Sequence, residues 1–138
     1  MVDGRSRPVT SLVIGAGVAA IEGVALLVYA TYIAVQVARL GITGPAAVSS
    51  PVAVALEITI FGLLGVAMVV AARGLWRARR WARSLLVVGQ FLALVVGVPL
   101  ATAEGGVERG AGIALVVLAV AGIVAAFWPS TTAAVADS

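Results

Sequence analysis

Four long apolar runs alternate with short polar segments along the chain. The runs cover residues 11–38, 51–72, 82–101 and 110–128. About 20 helical residues suffice to cross the ~30 Å hydrocarbon core of a bilayer, so each run is long enough to span it. Because the connecting segments are short, consecutive helices must run antiparallel. The pattern predicts an all-α membrane protein whose single domain, residues 11–128, is an antiparallel bundle of four transmembrane helices.

The segments that flank and connect the runs carry turn and helix-start signals. Gly41, Gly44 and Pro45 mark the first connection as a loop. Ser50 followed by Pro51 is typical of a helix N-cap with proline in the first turn. The first run is roughly twice as long as the 7–15 apolar residues of a secretory signal, which favours an uncleaved helix. Residues 1–10 and 129–138 are predicted to be short polar tails, the second of them disordered.

A basic stretch separates the second run from the third and predicts the topology. All nine basic residues of the chain are arginines, and five of them lie within residues 73–83. If the N-terminus is inside, seven arginines face the cytoplasm, and only Arg39 and Arg109 lie outside. The positive-inside rule therefore predicts a multi-pass plasma-membrane protein with both termini in the cytoplasm. The stretch is predicted to set the topology and to bind anionic lipid headgroups through Arg73, Trp76, Arg77, Arg79, Arg80, Trp81 and Arg83.

Composition supports burial in lipid and excludes several kinds of chemistry. Hydrophobic residues make up 62% of the chain and charged residues 11%, whereas soluble domains are about half apolar and a quarter charged. The chain has no cysteine and no histidine, which excludes disulfides, thiolate chemistry and imidazole ligands. We expect no metal, no cofactor and no enzymatic activity. We also expect no nucleic-acid partner, because membrane topology already explains the basic charge.

Polar residues inside the apolar runs form the candidate intramembrane site. Glu22 lies roughly 16 Å along the first helix at 1.5 Å per residue, near the midplane. A charge there costs on the order of 2.5–3.5 kcal/mol or more, so Glu22 is expected to face the bundle in its neutral form. Tyr29 and Gln36 follow at intervals of seven and share its helix face. Gln90 lies at the depth of Glu22, where the two side chains can form a hydrogen bond, and Glu57 lies close to the depth of Tyr29.

Small residues recur at helical spacing along the later runs. Such stripes allow helix backbones to approach closely in membranes. They suit a tight bundle, a homo-oligomer and docking on a larger complex equally well. The stripes comprise Gly62 and Gly65 in the second run, Gly89, Ala93 and Gly97 in the third, and Gly122 with Ala126 and Ala121 with Ala125 in the fourth.

Two resemblances accompany these patterns. The basic stretch at 73–83, followed by an apolar run with Gln-Phe-Leu-Ala-Leu at 90–94, resembles uncharacterised small four-helix membrane proteins of actinobacteria. That resemblance implies a fold and a taxon. A weaker one, carried by Ala20-Ile21-Glu22 and the layout, is to the small multidrug resistance transporters. The chain lacks the Gly/Trp signature of that family's third helix, and its arginine bias is strong.

Two functions follow from these observations. The first is a non-enzymatic accessory or scaffolding subunit that packs against other membrane subunits or against itself. It is favoured by the stripes of small residues, by the short loops and by the lack of a recognisable group of catalytic residues. The alternative is a small proton-coupled transporter or channel that acts as a homo-oligomer through Glu22. A cavity that reaches Glu22 would favour the second.

Overall fold

The computed structural model of the protein describes residues 10–42, 50–102 and 104–136. Residues 1–9 of the predicted first tail, residues 43–49 of the first connection, residue 103, and residues 137–138 of the predicted second tail lie outside these ranges. Five helices follow one another along the chain: α1 Thr10–Leu40, α2 Pro51–Trp76, α3 Arg80–Ala101, α4 Gly106–Phe127 and α5 Pro129–Ala136. The first four are long and apolar enough to cross a membrane. The predicted all-α bundle of four membrane helices is confirmed.

The four long helices form two hairpins that pack side by side. The most extensive contacts lie within the hairpins, between α1 and α2 and between α3 and α4. Smaller interfaces join α2 to α3 and α1 to α4, which closes a ring. We call the end that carries the α2–α3 turn the hinge end. The other end, with the α3–α4 connection, is the loop end.

Glycines allow the helices of each hairpin to approach closely. A Cβ atom on Gly23 of α1 would lie 2.9 Å from the Gly65 carbonyl oxygen of α2. In the second hairpin, a Cβ on Gly112 of α4 would fall on the backbone of Ala101 of α3. Since membrane helices associate largely through such van der Waals contact, these notches stabilise the hairpins.

The large buried side chains lie in the hinge-end half of the bundle. Leu75 and Leu86 are almost fully buried there, and they join the two hairpins. In the loop-end half, the buried residues of the described helices are small ones such as Ala30, Gly97 and Gly112. The hairpins are therefore held together at the hinge end and leave a cleft between them toward the loop end. The core consists of Leu12, Ala16, Ala19, Met68, Ala72, Leu75, Ala82, Leu86 and Ala126.

Most of the basic stretch is helical, which corrects the predicted bounds of the second and third helices. Helix α2 continues to Trp76 and α3 already begins at Arg80, so the turn comprises only residues 77–79. Ala78 adopts a left-handed conformation with φ of 53°. The Arg79 amide donates to the Gly74 carbonyl and the Ala78 amide to the Leu75 carbonyl, which is the Schellman ending of a helix. Helix α4 likewise begins at Gly106, four residues before the predicted start.

Ala78 occupies a position that suits glycine better. An L-residue in the left-handed region costs roughly 1–2 kcal/mol. We expect Ala78→Gly to raise the free energy of unfolding by about 1 kcal/mol, measured by titrating the detergent-solubilised protein with dodecyl sulfate. The control is Ala55→Gly, at an exposed position within α2, which should lower stability by roughly 0.5–1 kcal/mol. Equal destabilisation by both changes would contradict the prediction.

The start of α2 confirms the capping signal in the sequence. The Ala53 amide donates to the Ser50 hydroxyl at 3.1 Å, and Pro51 is the first helical residue. Such a cap is typically worth about 1 kcal/mol. It begins the helix at a defined residue, and this in turn sets the depths of Glu57 and Met68.

The predicted disorder of residues 129–138 is wrong for Pro129–Ala136, which form α5. Thr131 is buried, and its hydroxyl lies 2.6 Å from the Ser11 hydroxyl and 2.8 Å from the Ala125 carbonyl oxygen. The Ser11 hydroxyl also forms a 2.8 Å hydrogen bond with that of Ser130. The sequence prediction failed because a short polar segment gains its order from these contacts with α1 and α4, which its own composition does not reveal.

The hydrogen bonds of the Thr131 hydroxyl are expected to hold α5 against α1 and α4, and a substitution can test this. Thr131→Val keeps the shape of the side chain and removes its hydrogen bonds, so it should weaken docking by about 1–2 kcal/mol. Hydrogen exchange of the α5 amides should accelerate by about tenfold. The control is Thr132→Val at an exposed neighbouring position, whose hydroxyl donates to the carbonyl of Trp128, the residue before α5. Similar acceleration in both variants would show that the buried hydroxyl does not hold α5.

Candidate functional site

An apolar cleft of about 410 Å³ lies between the two hairpins in the loop-end half of the bundle. All four long helices contribute to it, with Glu22, Met68 and Gly89 at its floor and residues such as Phe61 and Leu115 along its walls. Glu22 is the one ionisable carboxyl group that lines it among the described residues. The cleft thus brings a single acidic group to the bottom of an otherwise apolar space.

A hydrogen bond between Glu22 and Gln90 crosses the bundle at the floor of the cleft. The Gln90 side-chain Nε2 donates to Glu22 Oε2 at 2.6 Å. Glu22 is only 6% exposed and Gln90 is completely buried. The hydrogen bond expected from their equal depths is therefore present, and it ties α1 of the first hairpin to α3 of the second.

Two glycines make room for the side chains at the floor. A Cβ on Gly122 of α4 would lie 2.6 Å from Gln90 Cδ, so the amide rests directly on the α4 backbone. Gly89 gives the same access to Met68, whose sulfur lies against it. The small-residue stripes of the third and fourth runs include these two glycines. The stripes did not indicate that the Gln90 side chain packs against Gly122.

One oxygen on each partner of this pair has no hydrogen-bond partner among the described residues. These atoms are Glu22 Oε1 and Gln90 Oε1, and both are buried. Leaving a buried polar atom unsatisfied costs roughly 1–3 kcal/mol. In an apolar site, a carboxyl group is stable when it is neutral or when it meets a cation or hydrogen-bond donor. Glu22 Oε1 is therefore a buried acceptor that still lacks a donor among the described residues.

A second polar pair lies nearer the loop end, within the first hairpin. The Tyr29 hydroxyl donates to Glu57 Oε1 at 2.8 Å. The Tyr29 ring meets the Phe61 ring edge-on, with centroids 5.1 Å apart. Both rings line the cleft, and Tyr29 remains 41% exposed. The pair flanks the cleft about two helical turns from Glu22 and is not hydrogen-bonded to it.

Gln36 does not join the other candidate residues. Its side chain donates to the Tyr32 hydroxyl of its own helix at 2.9 Å and is only half-buried. Two repeats of seven rotate Gln36 by only about 40° from Glu22 on a straight helix, but its amide donates within α1, to Tyr32, instead of across the bundle. The predicted polar seam therefore reaches the bundle interior at Glu22 but not at Gln36.

The arginines and tryptophans of the basic stretch surround the hinge end. Trp76 and Trp81 are largely exposed there. Arg83 lies over the Phe127 ring at 5.1 Å, within the range of a cation–π contact, and so links α3 to α4. In the described ranges, no cluster of acidic side chains could hold a metal ion.

Comparison with known proteins gives no relative from which a role could be transferred. No protein-family model, curated protein or solved structure matches the chain. The resemblances stated from the sequence therefore remain predictions, while the apolar helices identify the chain as a small multi-pass membrane protein.

Proposed function

We propose that the protein is a small proton-coupled transporter of lipophilic molecules in which Glu22 carries the proton. The observation that supports this function best is the apolar cleft whose floor includes Glu22, a largely buried acidic residue. Such a cleft suits a solute with a hydrocarbon body and one hydrogen-bond-donating group, an amine above all. In the plasma membrane, with both termini cytoplasmic, the cleft faces the outer leaflet and the hinge-end core closes the cytoplasmic side.

The surroundings of Glu22 suggest how proton and solute are coupled. An ionised carboxylate is unfavourable in an apolar cleft unless a cation lies beside it. A bound amine and a bound proton therefore exclude one another at the same carboxyl group. Binding of one releases the other, which is the requirement for exchange across a membrane.

Replacing Glu22 tests this function in proteoliposomes that contain the purified protein. Uptake of a fluorescent lipophilic amine, driven by a pH gradient, is measured together with proton release into a pH-sensitive dye. Glu22→Gln preserves an acceptor for the Gln90 amide and should reduce coupled uptake at least tenfold. Glu57→Gln, which alters a carboxyl group outside the floor, should change uptake less than threefold. Unchanged uptake in Glu22→Gln, or none in the parent protein, would refute the proposal.

The proposed topology has its own test. Neutralising Arg77, Arg79 and Arg80 together should weaken or invert the orientation, because it reduces the cytoplasmic arginines from seven to four against two outside. Reporter fusions at the C-terminus measure the orientation in cells. If the orientation is unaltered, the arginines near the N-terminus are sufficient to set it.

An accessory or scaffolding role is the second candidate. Gly62 of α2 favours it, since a Cβ there would meet no atom of the described residues within 4 Å. The space beside this glycine is therefore not filled by a described neighbour in the bundle. Such a notch suits the helix of another membrane subunit or of a second copy. Gly62→Leu should then reduce the co-purified partner or the dimer seen by native mass spectrometry. A monomer without partners in both proteins would exclude this role.

A further inference from the structure

We propose that a groove on the outside of the first hairpin, at the hinge end, binds one anionic phospholipid. This lipid groove has a volume of about 510 Å³ and lies between α1 and α2. Its basic mouth is formed by Arg73 and Arg77, beside Trp76, and its apolar channel by Val13, Gly17 and Ala20. The groove is separate from the cleft between the hairpins, so the proposal does not depend on transport.

The mouth of the groove has the charge and spacing to hold a phosphate. Arg73 and Arg77 are four residues apart at the end of α2, so they lie on the same side of the helix. Both are exposed. The acidic residues of the described ranges lie at mid-depth (Glu22) or toward the loop end, so none neutralises this pair. Guanidinium groups bind phosphate oxygens through paired hydrogen bonds.

The channel that continues from the mouth is suited to an acyl chain. Among the described residues, a Cβ on Gly17 would meet no atom within 4 Å, so the groove is open along this part of α1. Trp76 is largely exposed at the mouth, as tryptophans at the headgroup level of membranes typically are. A free phosphate ion would use only the mouth and a zwitterionic lipid mainly the channel. A phospholipid with net negative charge uses both.

Quenching of Trp76 fluorescence measures this binding in the full-length protein. The variant Trp81→Phe/Trp128→Phe keeps Trp76 as the only tryptophan. It is reconstituted into phosphatidylcholine bilayers that contain phosphatidylglycerol, with brominated acyl chains on one lipid or the other. Each arginine should contribute about a fivefold preference for the anionic lipid at low salt. Arg73→Gln/Arg77→Gln should therefore reduce the preference by on the order of 20-fold.

Three further measurements distinguish a defined site from general surface charge. Arg79→Gln/Arg80→Gln removes the same charge from the headgroup-facing stretch but outside the groove, so it should reduce the preference clearly less than the Arg73/Arg77 pair does; an equal loss in both pairs would overturn the proposal. Gly17→Leu fills the channel without altering charge and should reduce quenching by the anionic lipid severalfold, and unchanged quenching would overturn it. Excess inorganic phosphate should not restore Trp76 emission. Restoration would show a site for free anions instead of a lipid.

Discussion

Replacing Gly112 by valine is expected to force α4 away from α3 and to lower the free energy of unfolding by about 3 kcal/mol, the upper end of the usual range for overpacking. A Cβ at this position would lie about 2.5 Å from the Leu100 carbonyl carbon and closer still to the Ala101 amide. Backbone atoms cannot rotate away as a side chain can. The helices must therefore separate along their length, which loses the contacts around Gly97 as well.

Gly110→Val is the matched control for this change. Gly110 lies on the same helix two residues earlier, and a Cβ there would meet no atom within 4 Å in the part of the chain that the structure describes. Its substitution should alter stability by less than about 1 kcal/mol, as expected for an exposed site without special contacts. Titration with dodecyl sulfate, followed by circular dichroism, measures both variants. Similar midpoints for the two valine variants would refute the close approach of α3 and α4.

Removing the amide beneath Glu22 is expected to have the second large effect. Gln90→Met keeps an unbranched side chain of similar length, so the contact with Gly122 is retained. It leaves both oxygens of a buried carboxyl group without a protein partner. Because an unsatisfied buried group costs roughly 1–3 kcal/mol, we expect a loss of about 2 kcal/mol.

The double variant Glu22→Met/Gln90→Met tests whether that loss arises from the stranded carboxyl group. Replacing both partners of a buried polar pair with apolar side chains is often neutral or stabilising. Its free energy of unfolding should therefore return to within about 1 kcal/mol of the parent value. Tyr29→Phe, which removes a hydrogen bond at an exposed position, should cost less than about 1 kcal/mol. Glu22→Met is measured alone as well. If the losses of Glu22→Met and Gln90→Met simply add up in the double variant, Glu22 and Gln90 are not energetically coupled.

The helical architecture could be predicted from the sequence because membrane spans are local features. Each span needs an apolar run of sufficient length, and a constant helical rise converts residue number into depth. That conversion placed Glu22 and Gln90 at one level, which their hydrogen bond confirms. The cap at Ser50 was predictable for the same reason, since it depends on residues three apart along the chain.

The cleft, the turn and α5 depend on contacts between distant segments. The cleft exists because large side chains such as Leu75 and Leu86 join the hairpins at one end only. The apolar composition of the four runs does not indicate at which end the hairpins are joined. The turn at Ala78 uses a residue that is ordinarily a good helix former, so no glycine signalled it. Whether Tyr29 would meet Glu57 depended on the rotation of two helices about their axes, which short loops leave open.

The concentration of contacts within α1–α2 and α3–α4 has a consequence for biogenesis. The α1–α2 interface, including the Gly23–Gly65 crossing, needs no residue beyond Trp76. Since domains generally fold from the N-terminal side during synthesis, this hairpin can complete its own packing before the ribosome has translated the second pair of helices. The Glu22 carboxyl group is then part of a packed hairpin before α3, which carries Gln90, has been inserted. Until then, Glu22 lacks the amide that donates to it in the complete bundle.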